Sequence, residues 1–139
     1  MSIPIEVDAN RFLELFSRCA EIFNAHVDWA LENKTYNKFK ANSALYEQFR
    51  KSHSEVPSAL IQAVRDTAME AVKATKFKKR PRKSPTSGIR YDRRTLSLRG
   101  RQLTLSCIGK RQKCILNIPD YFRNIFENGK LKMATLNYR

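Results

Sequence analysis

Lys76, Lys78, Lys79, Arg80, Arg82, Lys83, Arg90, Arg93, Arg94, Arg99 and Arg101 crowd one stretch of the chain, in which Asp92 is the only acid. Lys110 and Arg111 follow a little further on, with Lys113 beside them. Phosphates repeat along a nucleic-acid strand, so a row of cations is suited to track a backbone. Phe77 and Tyr91 are interleaved with the cations, and aromatic faces stack on unpaired bases. The arginine fork grips either a phosphate or the edge of a guanine. These residues are the expected nucleic-acid contacts. The competing reading of such a cluster is a solvated basic face, but here the whole chain agrees with the cluster. Its formal net charge is +14 over 139 residues. Like charges repel in a compact fold, and an excess of this size points to a polyanionic partner.

An anionic membrane is the rival partner. No apolar run approaches the roughly 20 residues that a spanning helix needs. The opening Met1-Ser2-Ile3-Pro4-Ile5-Glu6 lacks a basic region followed by an apolar stretch, so a cytoplasmic, nucleoid-compatible protein is expected.

Catalytic patterns are scarce. His26 and His53 read as structural rather than catalytic, and there is no Gly-rich phosphate loop or Gly-x-Ser-x-Gly elbow. Two-metal nucleases need clustered carboxylates, whereas the 13 acids here are scattered. Cys19, Cys107 and Cys114 do not have zinc-finger spacing and read as structural thiols. The expectation is a binding chain with no cofactor, no metal and no enzyme activity of its own.

The elements that must carry these residues fall into two halves of different periodicity. From an N-cap at Asp8, Phe12, Phe16, Cys19/Ala20, Phe23, Val27 and Ala30/Leu31 form a helical stripe. A shorter helix is predicted from Ser43, marked by Leu45, Tyr46 and Phe49 and broken at His53-Ser54. A third begins at Pro57-Ser58, with Leu60, Ile61, Val64, Ala68, Ala71, Val72 and Thr75 on one face and Gln62, Arg65, Asp66, Glu70 and Lys73 opposite. Residues 1–75 thus read as a three-helix lobe, with Phe12, Phe16, Phe23, Trp29, Leu60 and Val64 in its core. Residues 76–88 read as a basic linker, since Pro81 and Pro85 end any helix. Beyond Gly88 the period becomes two, and glycines at 100 and 109 punctuate short antiparallel strands. A short helix near 119–126 is expected to turn Tyr121, Phe122, Ile125 and Phe126 inward. Lys130–Arg139 is predicted to add one more strand after the Asn128-Gly129 turn. The predicted class is α+β, with the strands of 89–139 in a curled sheet or partly open barrel.

Ile89-Arg90-Tyr91-Asp92-Arg93-Arg94-Thr95-Leu96-Ser97-Leu98, then Leu103-Thr104-Leu105-Ser106, Gly109-Lys110-Arg111, Tyr121 and Ala134-Thr135-Leu136-Asn137-Tyr138-Arg139 follow one family's order. Upstream, Pro57-Ser58-Ala59-Leu60-Ile61-Gln62 is similar to that family's helix before its basic linker, and Asn24–Leu31 occupies the place of a first-helix element. Together these resemble the front, non-catalytic part of the TnpB (OrfB) transposon-encoded RNA-guided nucleases. The resemblance implies a wedge-like β-barrel with a helical recognition lobe, holding a guide RNA and helping to read a short DNA motif. It implies RNA-backbone contacts at Lys78, Lys79, Arg80, Arg82, Arg90, Arg93 and Arg94. DNA-motif reading would fall to Ser58, Gln62 and Arg65 on the third helix and to Tyr36 in the loop after the first. The family's RuvC-like nuclease domain comes later, so no catalytic residue carries over. The opening also departs from the family, because Ile3-Pro4-Ile5-Glu6-Val7 replaces a basic first strand. A relic, a standalone binder, a half that assembles with a separately encoded nuclease, and a generic basic ribonucleoprotein or architectural protein all remain compatible with these residues.

Overall fold

The computed structural model describes all residues, 1–139. Three helices come first: α1 (Ala9–Glu32), α2 (Lys38–Ser52) and α3 (Ser58–Thr75). Then follow β1 (Ile89–Asp92), β2 (Leu96–Arg99), β3 (Gln102–Leu105) and β4 (Gln112–Ile115). A 3-10 turn (Asp120–Phe122) leads into α4 (Arg123–Asn128), and β5 (Met133–Leu136) closes the order.

The Asp8 carboxylate accepts from the Arg11 amide and starts α1 as its position predicts. The stripe of α1 is buried along its length, with Leu15, Ile22 and Val27 fully enclosed against Leu60, Ile61 and Val72 of α3. Trp29 is only half-buried at the edge of this core. The second helix begins five residues before the predicted Ser43. Asn37 is the cause: its side-chain oxygen accepts from the amides of Phe39 (2.9 Å) and Lys40 (3.1 Å). The residues this adds, Lys38–Asn42, bury Ala41 alone and leave Phe39 exposed, so no apolar period announces them.

The strands do not form a barrel. They make two small, unclosed antiparallel sheets, one of β1 with β5 and one in the order β2-β3-β4. Each strand has four residues and spans about 13 Å. The chain turns at Asp92–Thr95, where the Thr95 amide donates to the Asp92 carbonyl (3.0 Å) and the Thr95 hydroxyl accepts from the Asp92 amide (3.0 Å). That corner ends β1 before it can pair with β2. Gly88 leads into β1 at a tight approach, since a Cβ there would lie 2.8 Å from the Leu136 carbonyl oxygen.

Residues 117–139 contribute no fully buried side chain. The predicted inward face of the short helix is therefore corrected: Tyr121 is 77% and Ile125 54% exposed, and only Phe122 and Phe126 are half-covered. The final strand is also shorter than 130–139, because pairing with β1 covers only Met133–Leu136. One apolar cluster runs from the helices through Ile89, Tyr91, Leu96, Leu103, Leu105 and Leu116. It fixes the strands, and hence their cations, against α1 and α3. No helix is long and apolar enough to cross a membrane.

Candidate nucleic-acid interface

The basic segment 76–88 is strapped to α1. The Asn24 side chain accepts from the Lys83 amide (2.9 Å) and donates to the Lys83 carbonyl (3.0 Å), copying a strand-like pair. One turn later, the Asp28 carboxylate takes both Arg80 and Arg82, and Arg82 also donates to the Asn24 carbonyl (3.1 Å). Partial burial opposes ionisation of Asp28, but the two guanidinium partners win and hold its carboxyl below the usual carboxylate range. Lys83 lies half-buried with its ammonium 5.0 Å from the Phe23 ring centroid, and donates to the Gly88 carbonyl (3.0 Å). Lys76, Lys78 and Lys79 are exposed and have no carboxylate partner.

Beyond the strap, β1 runs antiparallel to α3, and their polar residues meet in step. Arg90 pairs with Glu70 (2.9 Å), and Arg94 donates to the Gln62 side chain (2.8 Å). On α3 the two contacts are eight residues, or about 12 Å, apart; on the other segment they flank the end of β1 at Asp92. Arg94 also pairs with Asp92 (2.8 Å), and this hydrogen bond holds the Asp92 carboxyl below its ordinary value. Arg65 has its fork closed by Asp66 (2.9 and 3.0 Å) and by the Asn42 side chain (2.6 Å). Of the expected motif-reading residues, Gln62 thus meets Arg94, while Arg65 is engaged inside the helical lobe. Ser58 is half-buried in the first turn of α3. Tyr36 lies elsewhere, with Lys73 5.7 Å from its ring centroid. Lys73 is 11 residues, or about 16 Å, along α3 from Gln62.

Two loops converge at the same end of the sheet as Gln62. Arg111, in the β3–β4 loop, donates to the Arg94 carbonyl (3.1 Å) in the β1–β2 turn. From α1, Arg11 donates to the Ile108 carbonyl and to the Lys110 carbonyl (3.0 Å), fixing the same loop from below. Arg93, Arg94, Lys110 and Arg111 are all exposed there. The nearby carboxylate, Asp92, is already matched by Arg94. Arg99 and Arg101 are exposed at the opposite end, flanking Gly100, which adopts a left-handed φ of 59°.

A scan against protein-family models and a search of curated proteins found no match.

Tyr91 does not belong to the interface. Its ring is fully buried and its hydroxyl donates to the Ser106 carbonyl (2.7 Å), joining the two sheets, so it offers no face to a base. Burial raises its phenol well above the ordinary range. The period-two pattern was compatible with this: Ile89 and Tyr91 share the buried face, while Arg90 and Asp92 lie on the other. Cys19, Cys107 and Cys114 are buried thiols, and burial pushes Cys19 up to about 12. His26 is enclosed, with Nδ1 2.7 Å from the Ile22 carbonyl oxygen.

Reading charge and period missed Asn24 and Asp28 as strap anchors, and Phe39. The anchors did leave a trace. Both are polar residues one step from Phe23 and Val27, spaced i, i+4 along the margin of an apolar stripe.

Proposed function

We infer that this chain binds RNA, and target DNA with it, as the front portion of a TnpB-like protein would, holding nucleic acid rather than cutting it. The observation that carries the reading is the convergence of two loops, 17 residues apart in contact, on one end of the β2-β3-β4 sheet. Arg93, Arg94, Lys110 and Arg111 gather there around one carboxylate that is already neutralised. Phosphates repay such a cluster, because each contact releases condensed counterions. The strap adds Lys76, Lys78 and Lys79 as further exposed cations. Arg80, Arg82 and Arg90 face solvent only in part and are held by Asp28 and Glu70. Exposed ion pairs of this kind contribute little, about 0–1 kcal/mol, so a phosphate can replace the carboxylate at modest cost. Gln62, hydrogen-bonded to Arg94, supplies an amide at the edge of the cluster for polar contacts.

The test is to sequence the nucleic acid that co-purifies with the tagged chain from its own host. A single structured RNA, mapping beside the gene or a nearby mobile element, supports the guide-holding reading. A mixture that mirrors bulk RNA replaces it with a basic binder of little sequence preference.

A further inference from the structure

A second cluster lies at the other end of the helical lobe, where the α1–α2 loop meets the start of the strap. Tyr36 and Phe77 are stacked there, with ring centroids 5.7 Å apart and planes inclined by 28°. Phe39 stands beside them on the first turn of α2, 73% exposed. Asn37 fixes that turn through its bonds to the Phe39 and Lys40 amides, so the ring is presented on a rigid support. A cavity of about 500 Å³ opens between the rings, also lined by Lys34, Asn37 and Lys38. No carboxylate lines it. The volume is that of a site for a small organic group.

The mutual stacking of Tyr36 and Phe77 leaves both rings partly open, and left-handed backbone occurs in the same place. Of the chain's three non-glycine residues in the left-handed region, Lys34 (φ 49°) and Phe77 (φ 62°) line the cavity, and Lys76 (φ 51°), the C-cap of α3, precedes Phe77. Each such residue costs on the order of 1–3 kcal/mol. The Lys38 ammonium lies 5.4 Å from the Phe39 centroid, and Lys73 lies 5.7 Å from that of Tyr36. Planar faces ringed by cations suit a ligand that is itself planar and linked to anions.

We propose that Tyr36, Phe39 and Phe77 form a stacking site for one unpaired nucleobase, with Lys34 and Lys38 meeting its flanking phosphates. The proposal rests on the nucleic-acid reading but not on the same residues. Gln62, which meets Arg94 at the loop cluster, and Lys73, which lies over Tyr36 at the aromatic cluster, are about 16 Å apart along α3. The base must come from a single strand, because within a duplex both of its faces are covered by the neighbouring base pairs.

The test uses the full chain and a ten-residue single strand of thymidines carrying one central 2-aminopurine, whose fluorescence falls on stacking. Wild type should quench it. Phe39→Ala should abolish the quench and weaken binding at least about fivefold, with the salt slope unchanged. Phe39→Tyr should restore both. Phe77→Ala should act in the same direction, and the matching duplex should be insensitive to Phe39→Ala. Phe39 is solvent-facing, so its loss leaves the core intact and a normal thermal melt is expected. Salt-dependent binding with the quench unaltered in Phe39→Ala overturns the stacking site while leaving the loop cluster standing. Absence of binding to both this strand and RNA overturns the two readings together. A glutamate-rich peptide that competes as well as the strand overturns the assignment to a base.

Discussion

Residues 1–75 and residues 76–139 differ in charge as sharply as they differ in structure. The first part holds nine lysines and arginines against ten acids, and the second holds eighteen against three. The whole excess therefore sits in the part with the least core, since 19 of the chain's 31 buried residues lie in α1, α2 and α3. A charge excess that stabilised the fold would be matched to the core. Here the near-neutral helices supply stability, and the strap and strands carry the cations. The two parts also hold each other, because Asp28 and Glu70 of the first take Arg80, Arg82 and Arg90 of the second. The cations are thus displayed by the fold more than they are required by it.

The largest effect that tests this division is in the core. Leu60→Ala should cost about 2–5 kcal/mol in urea denaturation, whereas Tyr121→Ala should stay within about 0.5 kcal/mol. Equal losses would contradict the placement of stability in the helices. Next comes the strap. Asn24→Ala removes two bonds to the Lys83 backbone and should cost about 1–2 kcal/mol. It should also make residues 76–88 the first site of proteolytic nicking, which is read by mass spectrometry of limited digests.

A pH effect should follow from His26. Burial disfavours its charged form and sets its pKa below the ordinary 6.5, with the Ile22 carbonyl acting in the opposite sense. The unfolded chain then takes up the proton more readily than the folded one. Stability is full above about pH 6.5 and declines as pH falls from there toward the folded value. Denaturation midpoints at pH 7.5 and 5.5 should differ less in His26→Leu than in wild type. Asp28 and Asp92, whose carboxyls are held below 3.8, contribute stability above that value and lose it only at lower pH, outside this window. The smallest effect is Arg80→Ala, which removes an exposed partner of Asp28 and should cost less than about 1 kcal/mol.

Much of the helical lobe was legible in the sequence because α1 and α3 repeat apolar residues at helical spacing and bury that face. The start of α2 was not, since it rests on one capping side chain, Asn37, followed by a turn that buries only Ala41. Strand existence was legible from alternation and glycines, but pairing was not. The contact of β1 with β5 links Ile89 to Leu136, and nothing local in either strand names its partner. The cations were legible as a cluster, whereas their division into paired and unpaired members was not. Arg90 depends on Glu70 and Arg80 on Asp28, far away in the chain. Tyr91 shows the same limit from the other side. Its residue type suits stacking, and only the packing of two sheets around Ser106 shows that the ring is internal.

The most direct test of the central claim is a salt titration of RNA binding, followed by fluorescence anisotropy with a labelled hairpin. Arg93→Gln, Lys110→Gln and Arg111→Gln combined should weaken binding and flatten the logarithmic salt slope by about two, as each lost phosphate contact removes roughly 0.7–0.9. Arg99→Gln with Arg101→Gln, a charge loss at the opposite end of the β2-β3-β4 sheet, should change little. An unchanged slope in the loop variant, or an equal loss in the control, would contradict the assignment of the loop cluster to nucleic acid.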